Sequence, residues 1–195
     1  MYRYDIEQRT PEWLILKLGK FSGSTASDLL MKDSTKGYQN LIKKLAYERI
    51  TGQIIETYKS DAMIRGNELE PEAREIYEFE TRNRVKLIGF IEYNDFVCCS
   101  PDGLIGDEGI IEIKCPLWST QMDYLLDQSV PNNYFSQIQF NLLVSEREWC
   151  DFYSYHPKLD SVLIRVQRDK EKIEEIKNKL EIAKQDILNL MEKLK

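Results

Sequence analysis

One stretch of the chain holds two acidic residues and a lysine at a spacing that suits hydrolysis of a phosphodiester. Asp102 follows a strand-like segment, and Glu112 and Lys114 stand two residues apart within the apolar segment 110–115. Side chains alternate faces along a strand, so Glu112 and Lys114 point the same way. A short hairpin-like connection would bring the carboxylate of Asp102 beside Glu112. We therefore expect these three charged groups to converge at one point.

Two carboxylates at such a point suit Mg²⁺, with Mn²⁺ as a substitute, because both ions prefer hard oxygen ligands. A bound metal ion activates water and polarises a phosphoryl oxygen, and a lysine beside it stabilises negative charge. Ile113 faces the core, yet its backbone carbonyl could complete the metal shell. The alternative is a Glu-x-Lys pair on a solvated surface. Ile110, Ile111 and Ile113 favour a buried strand, where uncompensated charge is costly.

Apolar periodicity and turn residues predict the elements that must position these groups. Helices are predicted at 11–19, 24–31, 38–51, 62–81, 118–127, 132–145 and 169–195, and strands at 85–93, 96–100, 110–115, 149–155 and 161–167. Pro71 should lie within the first turn of its helix or else kink it. The order of elements predicts an α/β fold, with a mixed central sheet flanked by helices and a long C-terminal helix.

The length of 195 residues predicts a single domain. We divide it into N-terminal helices 1–83, a catalytic core 84–168 and a C-terminal helix 169–195. That last helix carries an apolar stripe with alternating spacings of three and four residues: Ile173, Ile176, Leu180, Ala183, Ile187, Leu190 and Leu194. The stripe fits packing against the domain itself or a contact between subunits. We favour the first interpretation.

Composition excludes some functions and leaves others open. The net charge of -6 weighs against DNA binding when taken alone, although a local basic groove can coexist with an acidic exterior. The four cysteines form no CxxC pair and His156 is the one histidine, so zinc chemistry is poorly supported and we expect buried, free cysteines. Neither a signal peptide nor a membrane-spanning segment is predicted, and we expect a cytoplasmic protein.

Four blocks of sequence, in order, resemble the lambda exonuclease group of phage-type alkaline exonucleases, the YqaJ-like viral recombinases of the PD-(D/E)xK nuclease superfamily. The blocks are residues 8–13 with 16–19 and 22–24, then 65–74, then 99–104 with 112–116, and finally 134–139. The resemblance implies a core like that of restriction endonucleases. It also implies a magnesium-dependent deoxyribonuclease.

By this resemblance, Asp102 and Glu112 ligate the metal with help from the Ile113 carbonyl, and Lys114 acts on the attacking water. Glu70 would supply a further acid through a second metal or its waters. The alternative for Glu70 is a surface glutamate paired with Arg74 one helical turn away.

The resemblance also assigns polar residues around the metal. Gln137 would contact metal-bound water or the scissile phosphate. Gln139 is the rival, but it lies about 200° around the helix, so both cannot point inward.

A pocket for a 5′-phosphate is implied at Lys17, Ser24 and Ser100. Arginine is more usual than lysine at the basic position, and the turn 22–24 also departs from the family pattern. We therefore expect a weaker preference for 5′-phosphorylated ends. Trp13 is interpreted as a core anchor rather than a DNA contact.

The resemblance implies a 5′→3′ exonuclease on linear double-stranded DNA ends that leaves 3′ single-stranded tails for recombination by strand annealing. The expected assembly is a homotrimeric ring. The expected partner is a single-strand annealing protein from the same phage or prophage in a bacterial host. Alternatives are a PD-(D/E)xK endonuclease of restriction or repair type, which would also cut closed circles, and a non-catalytic DNA-binding scaffold. A nucleotide hydrolase is disfavoured because the chain lacks a glycine-rich phosphate loop.

Overall fold

The computed structural model of the protein describes residues 2–55 and 60–194. The helices are α1 (Pro11–Lys17), α2 (Ala26–Leu29), α3 (Lys36–Thr51), α4 (Asp61–Thr81), α5 (Trp118–Asp127), α6 (Asn132–Ser145) and α7 (Lys170–Lys193). The strands are β1 (Tyr2–Tyr4), β2 (Val85–Lys86), β3 (Phe90–Asn94), β4 (Val97–Cys99), β5 (Gly103–Ile105), β6 (Gly109–Lys114), β7 (Trp149–His156) and β8 (Leu159–Gln167). A short 3-10 helix, Gly23–Thr25, precedes α2. The predicted α/β class is confirmed.

The strands form two sheets. Strands β2, β5, β6, β7 and β8 make a five-stranded sheet in that order, and β1, β3 and β4 make a three-stranded one. The five-stranded sheet is mixed, because β6 and β7 run parallel while its other pairs are antiparallel. This sheet matches the predicted mixed sheet with helices on its faces.

Three details of the predicted strands are wrong. Segment 85–93 is not one strand, because β2 belongs to the large sheet and β3 to the small one. Gly89 lies at the crossing, where a Cβ would collide with the backbone carbonyl of Ile6. Strand β5 lies in a segment predicted as a connection, because Asp102-Gly103 and Asp107-Glu108-Gly109 are turn signals. Strand β1 was not predicted.

The β5–β6 hairpin fixes the position of the candidate residues. Gly103 pairs with Ile111 and Ile105 pairs with Gly109. Asp102, one residue before Gly103, is therefore level with Glu112, one residue after Ile111. The sequence placed Asp102 after the preceding strand, and the structure places it at the start of this hairpin.

Side chains of the large sheet alternate between two apolar clusters. Ile110 and Phe152 join the larger cluster, which also receives the buried faces of α3, α6 and α7. Ile111, Ile113 and Tyr153 join the smaller cluster, which α4 covers with Ala73 and Tyr77. Ile113 thus faces a core, as its place in the sequence predicted. All four cysteines are buried and free, as expected.

The helix ends follow their capping residues. The side chain of Thr10 accepts a hydrogen bond from the Trp13 N–H at the start of α1, and Pro11 occupies the first position. Gly52 ends α3 with a φ of 67°. Pro71 lies in the middle of α4, so a position in the first turn is wrong, and the alternative, a kink at Pro71, stays a prediction.

Helix α7 packs along the domain against α2, α3 and α6. The stripe positions from Ile173 to Ile187 are buried, while Leu194 is exposed. Packing against the domain, the favoured interpretation, is confirmed for the stripe from Ile173 to Ile187. Among the helices of the described residues, none is both long and apolar enough to cross a membrane.

Candidate active site

Asp102 is held at the mouth of the β5–β6 hairpin. Its Oδ2 accepts a hydrogen bond from the backbone N–H of Ile113 at 2.7 Å. Burial first, and then the negative charges of Glu112 and Glu70, raise the pKa of this carboxyl well above its ordinary value. The carboxylate of Asp102 is therefore repelled by both Glu112 and Glu70, and a cation bound beside it would reduce that repulsion.

Glu112 is buried, with 3% of its surface exposed, and is held by donors from two elements. Its Oε1 accepts from the ammonium of Lys114 at 2.5 Å and from the side-chain amide of Gln137 at 2.6 Å. The two residues on β6 share a face, as their spacing predicted. A buried carboxylate needs such partners, because an unpaired one is strongly disfavoured.

Lys114 is the positive charge of this cluster. Burial alone would lower the pKa of Lys114, but the carboxylates of Glu112 and Asp102 outweigh it and leave the pKa above its ordinary value. Its ammonium also lies 4.6 Å from the centroid of the Tyr134 ring. The group is therefore held as a cation beside the two acids.

The two glutamines of α6 separate as expected. Gln137 points to Glu112. Gln139 is fully buried on another side, where its amide donates to the Gln167 carbonyl at 2.8 Å and its oxygen accepts from the Asp169 N–H at 2.9 Å. Gln139 thus joins α6 to the start of α7 and does not contact the acidic cluster.

Asn141 is a neighbour of the cluster that sequence reasoning missed. Its side-chain amide donates to Oε2 of Glu112 at 3.4 Å. The available signal was its position four residues after Gln137, which places both side chains on one side of α6.

Glu70 lies on α4, and its negative charge raises the pKa of Asp102. It forms a 2.5 Å ion pair with Arg9, not the pair with Arg74 that was the alternative from sequence. About 16% of the Glu70 side chain and 41% of the Arg9 side chain are exposed. Glu70 is therefore more accessible than Glu112 and has its own counter-charge.

Hydrogen bonds between tyrosines and carboxylates fix α4 against β7. Tyr155 donates to Glu72 at 2.5 Å, and Tyr153 donates to Glu80 at 2.9 Å. In the opposite sense, Tyr77 of α4 donates to the buried Asp151 of β7 at 2.6 Å. These bonds set the position of α4 and, with it, the position of Glu70.

The donor set fits a divalent metal ion in its chemistry. Carboxylate oxygens of Asp102 and Glu112, together with a backbone carbonyl, are the hard ligands that Mg²⁺ prefers. Within residues 2–55 and 60–194, no three His, Cys, Asp or Glu side chains converge closely enough to form a complete site. Glu70 is paired with Arg9, and Glu112 is bound to Lys114 and Gln137. Water and phosphate would supply the remaining ligands.

Two of the three residues of the predicted phosphate pocket meet at Trp13. The indole N–H donates to the Ser100 hydroxyl at 2.9 Å and lies 3.0 Å from the Gly89 carbonyl. The Lys17 ammonium lies 4.3 Å from the centroid of the indole ring, and burial lowers the pKa of Lys17. Trp13 is half-buried and belongs to neither apolar cluster of the described residues, so it is not the predicted core anchor, although its hydrogen bonds join α1 to Gly89 and Ser100.

Ser24 is the third residue of that pocket. It is exposed, and its hydroxyl lies 3.1 Å from the hydroxyl of Ser22. Within the described part of the chain, its side chain makes no hydrogen bond to Lys17 or Ser100.

One known protein family matches most of the chain. Residues 12–148 match the family described as the YqaJ-like viral recombinase domain. A search of curated proteins gives no match.

Solved structures match over nearly the whole chain. The crystal structure of an alkaline exonuclease, LHK-Exo, from Laribacter hongkongensis is 34% identical, with a TM-score of 0.88, and the match covers 95% of this chain and 96% of that one. The same protein in complex with dAMP matches with a TM-score of 0.89 and equal identity and coverage. A phage-related exonuclease from Haemophilus somnus 129PT, 15% identical with a TM-score of 0.76, covers 90% of this chain and 96% of that one and shows the fold alone.

Proposed function

Because the chain belongs to the YqaJ-like viral recombinase family, we propose that it is a metal-dependent exonuclease that digests linear double-stranded DNA from its 5′ ends. One observation carries the proposal: Asp102, Glu112 and Lys114 meet at the β5–β6 hairpin, and Gln137 joins them from α6. The solved relative that is 34% identical is itself an alkaline exonuclease. The chain is accordingly assigned as a nuclease.

Each residue of the cluster has a proposed role. Asp102, Glu112 and the carbonyl of Ile113 would hold Mg²⁺ or Mn²⁺, which activates water and neutralises charge on the scissile phosphate. Lys114 donates hydrogen bonds to the attacking water and to the developing negative charge. Gln137 orients Glu112 through their 2.6 Å hydrogen bond. We also assign to Gln137 a contact with metal-bound water or the scissile phosphate.

Glu70 would act through water from the other side of the site, because Arg9 already neutralises much of its charge. We assign the 5′-phosphate to Lys17, Ser24 and Ser100. Lys17 and Ser100 adjoin Trp13, which holds them near the end of β4. Lysine provides a point charge rather than a two-pronged donor, so the preference for a 5′-phosphate should be modest.

The product would be a duplex with 3′ single-stranded tails, which suits recombination by strand annealing. A single-strand annealing protein is the proposed partner, and the cytoplasm of a bacterial host, with a phage or prophage gene, is the proposed setting. We also propose a homotrimeric ring, since enclosure would keep an acidic chain on DNA. Exposed Trp118, Met122 and Leu126, four residues apart on α5, offer an apolar surface for such an assembly. Light scattering during size-exclusion chromatography tests the trimer.

The decisive experiment compares linear and closed circular duplex DNA in Mg²⁺ and in EDTA. We expect loss of the linear substrate alone, with release of a 5′ label before a 3′ label, and no digestion in EDTA. Lys114→Ala should abolish digestion, while Lys86→Ala, an exposed lysine on β2, should leave it intact.

Two results would favour the alternatives. Cutting of the closed circle by the wild-type chain would indicate an endonuclease of restriction or repair type. Binding of DNA without digestion of either substrate would indicate a non-catalytic scaffold.

A further inference from the structure

Both carboxylate oxygens of Glu112 accept hydrogen bonds from side chains. Lys114 and Gln137 donate to Oε1, whereas Asn141 lies 3.4 Å from Oε2. Gln137 and Asn141 are one helical turn apart on α6, so this helix provides one donor to each oxygen. The bond from Asn141 is longer than the bond from Gln137 and is therefore the weaker of the two.

Asn141 has an unusual surrounding for a polar side chain. It is buried, with 2% of its surface exposed. Its Oδ1 is buried too and has no hydrogen-bond partner among the described residues. A buried acceptor without a partner is costly, and an apolar side chain of the same shape would avoid that cost. The hydrogen bond that the amide of Asn141 donates to Glu112 accounts for an asparagine at this position.

The turn before α2 is built around this side chain. A Cβ on Gly23 would overlap Oδ1 of Asn141 and crowd the rest of its amide. Gly23 does not have a positive φ, so its backbone does not require glycine. Glycine is therefore required at this position for space, because the amide of Asn141 occupies the volume that a Cβ would take.

We propose that Asn141 is a positioning residue that orients Glu112 toward the metal ion, and that Gly23 is a glycine because Asn141 occupies the adjoining space. The inference rests on the proposed function in one respect, that Glu112 is a metal ligand. It also joins two parts of the site. The turn that carries Ser24, of the proposed phosphate pocket, touches the metal ligand through the side chain of Asn141.

The test is the affinity of the full chain for Mn²⁺, measured by calorimetric titration without DNA. Asn141→Leu keeps the size of the side chain and removes the donor. We expect Mn²⁺ to bind about 10- to 100-fold more weakly, as is typical when a partner of a metal ligand is lost. The rate constant for digestion should fall while the KM for DNA changes little. Asn141→Ala provides the same test if leucine prevents folding.

The matched control is Gln139→Met. Gln139 is a buried amide on the same helix whose bonds run to Gln167 and Asp169. The control should lower the melting temperature and leave the Mn²⁺ affinity unchanged. This contrast separates a role in orienting Glu112 from a role in stabilising α6.

A double-mutant cycle tests the claim about space. Gly23→Ala alone should weaken Mn²⁺ binding, because its methyl group displaces Asn141. In an Asn141→Ala background the same change should have little effect. Equal effects of Gly23→Ala in both backgrounds would overturn this part of the inference.

The remaining outcomes separate the inference from the proposed function. If wild type binds Mn²⁺ and Asn141→Leu binds it within twofold of wild type, the inference is wrong while the proposed function stands. If Mn²⁺ affinity depends on Asn141 but digestion starts at 3′ ends, the inference stands and the proposed polarity is wrong. A wild-type chain that binds no Mn²⁺ would overturn both.

Discussion

The two faces of the five-stranded sheet hold their helices by different means. On one face, α5 and α6 lie on the sheet and α7 packs against α6, in a continuous apolar cluster that includes Phe140, Phe152 and Ile176. On the other face, α4 adds only a small apolar cluster and is tied to β7 by bonds between tyrosines and carboxylates. Each face also delivers one acid to the site: Glu112 lies toward α6, and Glu70 lies on α4.

This difference sets how each acid is held. Glu112 is itself almost fully buried, so water is poorly placed to replace a donor that is lost there. Glu70 is partly exposed and has Arg9 as a partner, so water can compensate for a change. The apolar face therefore holds Glu112 tightly, while the polar face leaves the side chain of Glu70 freer to move.

The largest expected effect compares the two acids. Glu112→Gln should lower the rate of digestion of linear duplex DNA by roughly 10³-fold, since it removes a proposed ligand from the centre of the site. Glu70→Gln should lower it by about 10- to 100-fold, because its role passes through water. Initial rates at saturating Mg²⁺ measure both. Equal losses would remove the distinction between the two acids.

The next effect concerns the apolar face alone. Ile176 on α7 is fully buried, and Ile176→Ala should reduce the free energy of unfolding by about 2–5 kcal/mol through lost burial and a residual cavity. Urea titration followed by circular dichroism measures the change. Ile182→Ala, at an exposed position of the same helix, is the control and should lie within about 0.5 kcal/mol of wild type. A small effect at Ile176 would show that α7 contributes little to this face.

On the polar face we expect smaller losses of stability, and their size should depend on how buried the carboxylate partner of each tyrosine is. Tyr155→Phe leaves Glu72 exposed to water, so it should reduce the free energy of unfolding by only about 0.5 kcal/mol. Tyr77→Phe takes a donor from Asp151, which is 1% exposed, and should cost about 1–3 kcal/mol, although Arg165 still pairs with that carboxylate. Denaturant unfolding of both variants tests the order. The reverse order would contradict the argument from burial.

The last effect is a dependence on pH at Asp102, whose pKa is raised by burial and by the charges of Glu112 and Glu70. Because the pKa of Asp102 is raised in the folded chain, its stabilising contribution is complete below the ordinary value of 3.8 and is lost as pH rises through the raised pKa. In EDTA at pH 8, Asp102→Asn should therefore melt slightly higher than wild type, and near pH 3.5 the two should agree. Mg²⁺ at pH 8 should raise the melting temperature of wild type more than that of the variant. Identical shifts with Mg²⁺ would argue against Asp102 as a ligand.

The sequence predicted most helices and the long strands correctly because their signals are local. The bounds of α5 and α6 agree with prediction, and Gly52 ends α3 as expected. Very short strands escaped, since β1 and β5 each span three residues and depend on a distant partner or a hairpin for their pairing. The division of segment 85–93 between two sheets likewise follows from pairing, of β2 with β5 and of β3 with β1 and β4, which the local pattern does not show.

The sequence by itself determined that Glu112 and Lys114 share a face, because alternation along a strand is a property of the local backbone. Through the motifs of the family it also predicted that Asp102 and Gln137 belong to the same site. Only the tertiary structure decided that Arg9 pairs with Glu70, that tyrosines of β7 fix α4, and that Asn141 fills the space left by Gly23. These contacts join segments far apart in the chain, and their geometry follows from how whole elements pack rather than from any local pattern.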